Sequence, residues 1–406
     1  MKYDARWVEW LRTNLILGLR LFYAGITVEG QEHVPKEGPV ILASNHNNAV
    51  LDALILGFFS GGRRPGFLTR ADVFKRPLLR KFFTALRMIP VYRVRDNVDI
   101  KTANNATFDQ VAQWLAKGQS AIIFPEGDKG HDFHLLPLKK GTARMAFHAL
   151  PDLTQDLYIV PAGITYEQLH TVRKRVIIRY GEPIRVHDYW AAYQQHPDLT
   201  LKALTNDLQA AIERLMWHVP SADVPLIRWW VDSQRSGAYR DRVAKAFHWW
   251  HAMAEEERLA WRERIAQWRI ANVYPTAVGR SFPVGALVAA LLLGPLVLEG
   301  LLWLVLPFFV PSWLAERMSG HPHFHTSIRF GLLWLCFPLF SLLQGGLLFW
   351  LLPGPWSWLA IAVVFLLPVL TWQWFRAIRS LQWWAAWQRV PSSVRADVEA
   401  VQATLS

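Results

Sequence analysis

The sequence predicts an α/β domain followed by a polar helical region and a membrane-embedded helical segment. Two observations carry the prediction. Between residues 40 and 180, short β-branched apolar runs alternate with segments of helical length, the pattern of strands covered by helices. Beyond Phe282 the composition shifts to apolar runs at Phe282 to Val310, Ile328 to Leu352 and Trp356 to Phe375, each long enough for a bilayer crossing, which needs about 20 residues.

Taken in order, Trp7 to Ile26 mixes Trp7, Trp10, Leu11, Leu15, Leu19, Leu21 and Phe22 with Arg6, Arg12 and Arg20. That composition suits a helix lying in a bilayer interface; an ordinary surface helix is the alternative. Glu9 and the arginines interrupt the apolar residues and no small-residue cleavage site follows, so the segment is expected to be retained. Val40-Ile41-Leu42-Ala43 reads as a buried strand and Asn48 to Phe59 as a helix, which places His46 at a strand-to-helix junction. Helix amides there disfavour the imidazolium and keep the ring neutral, as a general base requires. Further strands are expected at Met88 to Tyr92, Ser120 to Phe124, Leu157 to Ala162 and Arg175 to Tyr180. The helices between them fall at Lys75 to Leu86, Ala103 to Lys117 and Gly141 to Leu150. The boundaries expected are 1–26 for the amphipathic helix, 27–189 for the α/β domain, 190–275 for the polar helical region, 276–388 for the membrane region and 389–406 for a polar tail.

Arg280, Arg329, Arg376 and Arg379 flank the apolar runs, and the positive-inside rule places all four on one face. The second and third runs then form a hairpin that crosses twice, while the first, interrupted by Pro295 and Pro307, dips in and returns. The α/β domain is expected on the cytoplasmic face. A formal charge of +12 with 22 Trp and long apolar runs points to anionic lipid rather than nucleic acid, whose binding signatures do not appear. Trp229-Trp230, Trp249-Trp250 and Trp383-Trp384 with Trp387 read as interfacial anchors. The single cysteine, Cys336, excludes an intrachain disulfide. His321, His323 and His325 alternate without a carboxylate or thiol, so no metal site is assigned; His131, Asp132 and His134 read as the rim of a substrate cleft.

The chemistry lies in Asn45-His46 with Asp52, in Phe124-Pro125-Glu126-Gly127 and in Pro137-Leu138-Lys139. A histidine that deprotonates a hydroxyl needs an acid to orient it, and a phosphorylated substrate needs basic side chains close by. With Ile89-Pro90-Val91-Tyr92-Arg93 and Ile159-Val160-Pro161-Ala162-Gly163, these blocks resemble, in order and spacing, the glycerol-phosphate and lysophosphatidic acid acyltransferase family over about Ile26 to Ile184. The resemblance implies a mixed sheet flanked by helices and direct acyl transfer from a coenzyme A or carrier-protein thioester, with no other cofactor. His46 is the implied base and Asp52 its partner. Arg93, Lys139 and Lys129 would hold the acceptor phosphate, with Glu126 on an acceptor hydroxyl or a basic partner, the amides after Gly127 near the phosphate, and Asn45 completing the substrate site. A helix-capping role for His46 and Asp52, a surface role for Arg93 and Lys139, and plain turn chemistry for Glu126 are the alternatives.

Two features depart from the common family pattern. Five residues, not four, separate His46 from Asp52, a spacing shared with a branch resembling fungal glycerol-3-phosphate/dihydroxyacetone-phosphate acyltransferases, as are Leu136 to Arg144 and Tyr180 to Ile184. One extra residue turns a helical position by about 100°, which separates the pair unless the junction is reshaped. Lys129 also stands where an arginine is usual, giving a point charge without a bidentate fork. The expected acceptor is lysophosphatidic acid, with glycerol 3-phosphate or dihydroxyacetone phosphate as the alternative. A non-catalytic lipid-binding membrane protein is the reading of another class, and a His46 ring nitrogen beyond about 4 Å from both Asp52 oxygens would favour it. The partners expected are a lipid bilayer, the thioester donor and the phosphorylated acceptor, with no obligate protein partner.

Overall fold

A computed structural model describes residues 5–70, 80, 83–84, 86–91, 100–128, 130, 132–169, 171–234, 237–271, 273, 282–304, 309–318, 322–352 and 354–405. The chain divides into two compact units, Met1–Pro220 and Ser221–Ser406.

The first unit is built on a mixed sheet. In chain order its strands are β1 (Gly25–Glu29), β2 (Val40–Ser44), β3 (Gly66–Arg70), β4 (Met88–Val91), β5 (Ser120–Ile123), β6 (Tyr158–Tyr166), β7 (Arg175–Tyr180) and β8 (Ile184–Arg185). The order across the sheet is β1-β7-β6-β2-β5-β3-β4, with β8 beside β6. Strands β2 to β6 run parallel, whereas β7 lies antiparallel to β6 and parallel to β1. Buried strands read as continuous apolar runs, and β2 and β5 are buried at every position. Successive side chains on β2 point to opposite faces. Ile41 and Ala43 join a core with helices Ile100–Ala116, Gly141–Ala149 and Pro197–Leu215, centred on Val111, Ala146, Phe147, Leu204 and Leu208. The other face is covered by helix α2 (Leu51–Phe58), on which packs α1 (Ala5–Phe22).

The strands expected at 40, 88, 120, 157 and 175 are present, and β6 runs four residues beyond its expected end. Three more strands join them. β1 begins inside the stretch read as the end of the first helix, β3 starts at Gly66 directly after Pro65, and β8 is two residues long. The helix expected at 75–86 lies largely outside the described residues. Helix Pro197–Leu215 supplies Leu204, Leu208 and Ile212 to the sheet core, so the expected boundary at 189 falls inside this unit. Helix α1 buries Leu11, Leu15, Leu19 and Phe22 at helical spacing and leaves Trp7, Trp10, Leu17 and Leu21 exposed.

The second unit is helical. Helices Val224–Ser233, Tyr239–Ala252 and Glu255–Ile270 enclose an aromatic cluster in which Trp229 packs 4.7 Å from Trp268 and Trp230 lies 5.8 Å from Trp249. Trp229, Trp230 and Trp250 are buried there, so these three are core side chains rather than interfacial anchors. The buried Asp223 meets Arg262 with both its oxygens, at 2.5 and 3.0 Å. The apolar runs form helices Val284–Leu304, Pro322–Leu351 and Pro355–Gln388. The first continues through Pro295 to Leu304, and Trp374 of the last donates to the Ala290 carbonyl at 3.0 Å. Among the described residues, Phe324–Leu351 is one stretch long and apolar enough to cross a membrane. Arg280, Pro307 and His321 lie outside the described residues.

Candidate active site

Open α/β sheets gather function at the carboxyl ends of their parallel strands. Here the chain leaves β2 at Ser44 and β5 at Ile123, two adjacent strands, and the two exits bring His46 and Glu126 together. The β2 exit is fixed by Asn45. Its amide donates to the Ile164 carbonyl at 2.9 Å and accepts from the Ile164 amide at 2.7 Å, tying the junction to β6. Asn45, expected to bind substrate, therefore has both ends of its amide committed to main chain.

Residues 45–50 are not helical, and this turn absorbs the extra residue between His46 and Asp52. Asp52 lies in the first turn of α2 with its side chain fully buried, and its Oδ2 accepts from His46 Nδ1 at 2.9 Å. The same oxygen accepts from the amides of Asn47 at 2.8 Å and Asn48 at 2.6 Å. Those amides at the mouth of α2, expected to face the imidazole, are spent on the carboxylate, which in turn faces the ring. With Nδ1–H on Asp52, the other ring nitrogen, Nε2, carries the lone pair that can take a proton. Stacking of the ring on Phe124, 4.0 Å between centroids and 14° from parallel, fixes its plane. The His46 side chain is 17% exposed, enough to meet a substrate.

Two buried tyrosines complete the cluster. Tyr166, at the end of β6, donates its hydroxyl to Asp52 Oδ1 at 2.5 Å. Burial, and then the Asp52 charge, push its phenol well above the usual value, so it stays a donor. Tyr23, between α1 and β1, packs its ring 6.1 Å from that of Tyr166.

Glu126 holds the two loops in register. Its Oε1 accepts from the His46 amide at 2.6 Å and its Oε2 from the Leu136 amide at 3.0 Å, while Gly130 donates its amide to the His46 carbonyl at 2.7 Å. Both Glu126 oxygens thus answer main-chain amides. Gly127 follows with φ +63°, a conformation that glycine adopts without strain. A side chain there would meet Lys139 Nζ at 2.8 Å, so Lys139 lies directly over the turn, where its charge and the turn's amides can converge on an anion. The Lys139 amide donates to the Pro125 carbonyl at 2.8 Å, which holds the two segments together. Arg93, Lys129 and His131 lie outside the described residues. His134 stacks on His218, 5.0 Å between centroids, and its Nδ1 meets the Val219 carbonyl at 2.9 Å. Asn47, beside His46, buries both ends of its side-chain amide without a hydrogen-bond partner among the described residues.

Sequence reasoning passes over Tyr166, Phe124 and Asn47. Phe124 figures only as part of its block, and Tyr166 lies 114 residues from Asp52 on a strand expected to end earlier.

Burial raises the Glu126 carboxyl to about 7, against the opposing pull of the Leu136 and His46 amides. The folded chain therefore binds this proton more tightly than the unfolded chain, where the value is 4.5. The stability contributed by the neutral form is present below about pH 4.5 and lost as pH rises to about 7. Relative to Glu126→Gln, which cannot ionise, the wild type is expected to lose roughly 2–3 kcal/mol between pH 5 and pH 8. Chemical unfolding of both proteins at the two pH values checks this; a pH-independent difference would contradict it.

Comparison with known proteins agrees with the resemblance read from the blocks. Residues 25–165 match the family model described as Acyltransferase. The chain is 37% identical over 119 residues to glycerol-3-phosphate O-acyltransferase 2 of Saccharomyces cerevisiae, covering 28% of this chain and 16% of that one. It is 30% identical over 185 residues to a 1-acyl-sn-glycerol-3-phosphate acyltransferase of Limnanthes alba, covering 43% of this chain and 61% of the other. The chain thus spans about a sixth of the yeast relative and less than two thirds of the plant one. The solved 1-acyl-sn-glycerophosphate (LPA) acyltransferase of Thermotoga maritima aligns over 50% of this chain and 78% of its own, at 16% identity and a TM-score of 0.36, a likeness that adds nothing on function.

Proposed function

We propose that this chain, whose residues 25–165 match the Acyltransferase family model, transfers a fatty acyl group from an acyl thioester to the hydroxyl of lysophosphatidic acid at a membrane. The observation that carries the reading is the closed His46–Asp52 pair, 2.9 Å between Nδ1 and Oδ2 across a six-residue separation. That distance removes the displaced aspartate on which a non-catalytic lipid-binding reading rests.

In the proposed reaction His46 Nε2 takes the acceptor proton as the hydroxyl oxygen attacks the thioester carbonyl. Asp52 stabilises the imidazolium. The tetrahedral intermediate collapses with cleavage of the carbon–sulfur bond, and the departing thiolate recovers the proton from His46. Every atom is accounted for without an acyl-enzyme. Lys139 over the Gly127 turn supports a phosphate-bearing acceptor, and Arg93 and Lys129 are assigned to the same anion from their blocks. Phe324–Leu351 and the outward Trp7, Trp10, Leu17 and Leu21 support membrane residence. The arginines that flank the apolar runs support a catalytic unit on the cytoplasmic side.

A second acceptor reading rests on specific observations. The His46–Asp52 spacing and the 37% identity to a yeast protein named for glycerol 3-phosphate favour acylation of glycerol 3-phosphate or dihydroxyacetone phosphate. Purified chain given labelled acyl-coenzyme A, or the carrier-protein thioester, with each acceptor in turn decides between them. The expected product is phosphatidic acid from lysophosphatidic acid, at a kcat/KM at least about tenfold above that for the two smaller acceptors. A preference for either of those would move the assignment to the first acylation step, and transfer to none would defeat the proposal.

A further inference from the structure

We infer that Tyr166 is a positioning residue for the base: its hydroxyl fixes the Asp52 carboxylate and so sets how readily His46 takes a proton from the acceptor. The inference rests on the reading of His46 as general base. Three donors converge on Asp52 Oδ2, the His46 ring and the amides of Asn47 and Asn48, whereas Oδ1 accepts from Tyr166. The carboxylate is fully buried, so without Tyr166 no water takes that oxygen at once. A carboxylate held by fewer donors is a stronger base and draws the imidazolium more strongly.

The placement is enforced by the backbone. Two residues before Tyr166, Ile164 is clamped on both its amide and its carbonyl by Asn45, the residue preceding His46. Strand β6 is thus locked to the segment that carries the base. Tyr23 packs against the Tyr166 ring from the α1 side. Tyr166 is fully buried, which separates it from side chains that a substrate can reach. Among the described residues, the titratable groups gathered about the His46–Asp52 pair are Glu126 after β5, Tyr166 on β6 and Tyr23 before β1, with Lys139 beyond Gly127. Tyr166→Phe removes the donor to Oδ1 and leaves the three donors to Oδ2 in place.

The test is the pH dependence of kcat/KM for the full chain in vesicles, with Tyr166→Phe and His46→Ala run beside the wild type. Tyr166→Phe is expected to move the acid limb up by about half to one pH unit. KM for donor and acceptor should stay within about twofold, because no substrate contact is lost. Replacing Tyr166 by 3-fluorotyrosine, a more acidic phenol and a stronger donor, should move the limb the other way, and it decides the matter if the phenylalanine variant does not fold. An independent readout is the rate at which diethyl pyrocarbonate modifies His46 as a function of pH, followed by mass spectrometry. Its midpoint should shift with the acid limb. A folded Tyr166→Phe protein in which neither profile moves would overturn the inference, as would a fluorotyrosine protein with an unshifted modification profile. Undiminished transfer by His46→Ala would instead defeat the catalytic reading, and the modification profile would still report whether Tyr166 governs His46.

Discussion

Replacing His46 by alanine lowers kcat for acyl transfer by about 10³-fold and changes KM for donor and acceptor by less than about threefold. The size follows from what one positioned base contributes, about 10² to 10⁴ in rate. The split follows from geometry, since the groups assigned to the phosphate, Lys139 and the turn at Gly127, hang on the β5 loop rather than on the imidazole. Stability should hardly change. The ring is partly exposed, and its loss leaves Asp52 still held by two amides and Tyr166. Steady-state kinetics of the variant with separately varied donor and acceptor checks this; a raised KM at unchanged kcat would make His46 a binding residue.

Asp52→Asn should fail differently. The amide places an N–H₂ group where one carboxylate oxygen now accepts. At the Oδ2 position it opposes the His46 ring and two main-chain amides, and the imidazole turns to its other tautomer and presents N–H to the hydroxyl; at the Oδ1 position it donates to Tyr166, whose hydroxyl turns to accept, and the imidazolium loses the charge that stabilises it. A loss of about 10² to 10⁴ in kcat/KM is expected. Because the site is buried, an unfolding cost of about 2–4 kcal/mol accompanies it, which lowers the midpoint of unit 1 by about 5–10 °C. The pair of variants thus separates chemistry from scaffold, His46→Ala inactive at wild-type stability and Asp52→Asn inactive and destabilised. Thermal unfolding followed beside the activity assay distinguishes them. An Asp52→Asn protein that is active and unfolds at the wild-type temperature would show that the carboxylate neither orients the ring nor caps the turn.

The contrast also marks what the residues reveal before folding. The nearness of His46 to Asp52 and of Lys139 to the Gly127 turn was legible because acid–base and anion-binding chemistry restricts which side chains can serve. Glu126 was legible as a member of the site but not in its contacts, since it answers to main-chain amides, which every residue except proline carries. The single insertion before Asp52 looked disruptive on helical geometry, yet the turn at residues 47–50 is not helical and takes up the extra residue. Tyr166 was silent because its meaning depends on which strands neighbour β2, a long-range property of the sheet. Composition misled for Trp229, Trp230 and Trp250, as aromatic richness serves a helical core as well as a membrane interface.

Direct transfer through His46 is tested most closely by quenching a single turnover. Labelled acyl thioester is mixed with excess full chain in vesicles containing lysophosphatidic acid, and the label is counted as thioester, protein-bound acyl and acylated acceptor over time. Label passing from thioester to acceptor with no protein-bound species, and none passing in His46→Ala, is the predicted result. A protein-bound acyl group that precedes product, or equal transfer by the variant, would contradict it.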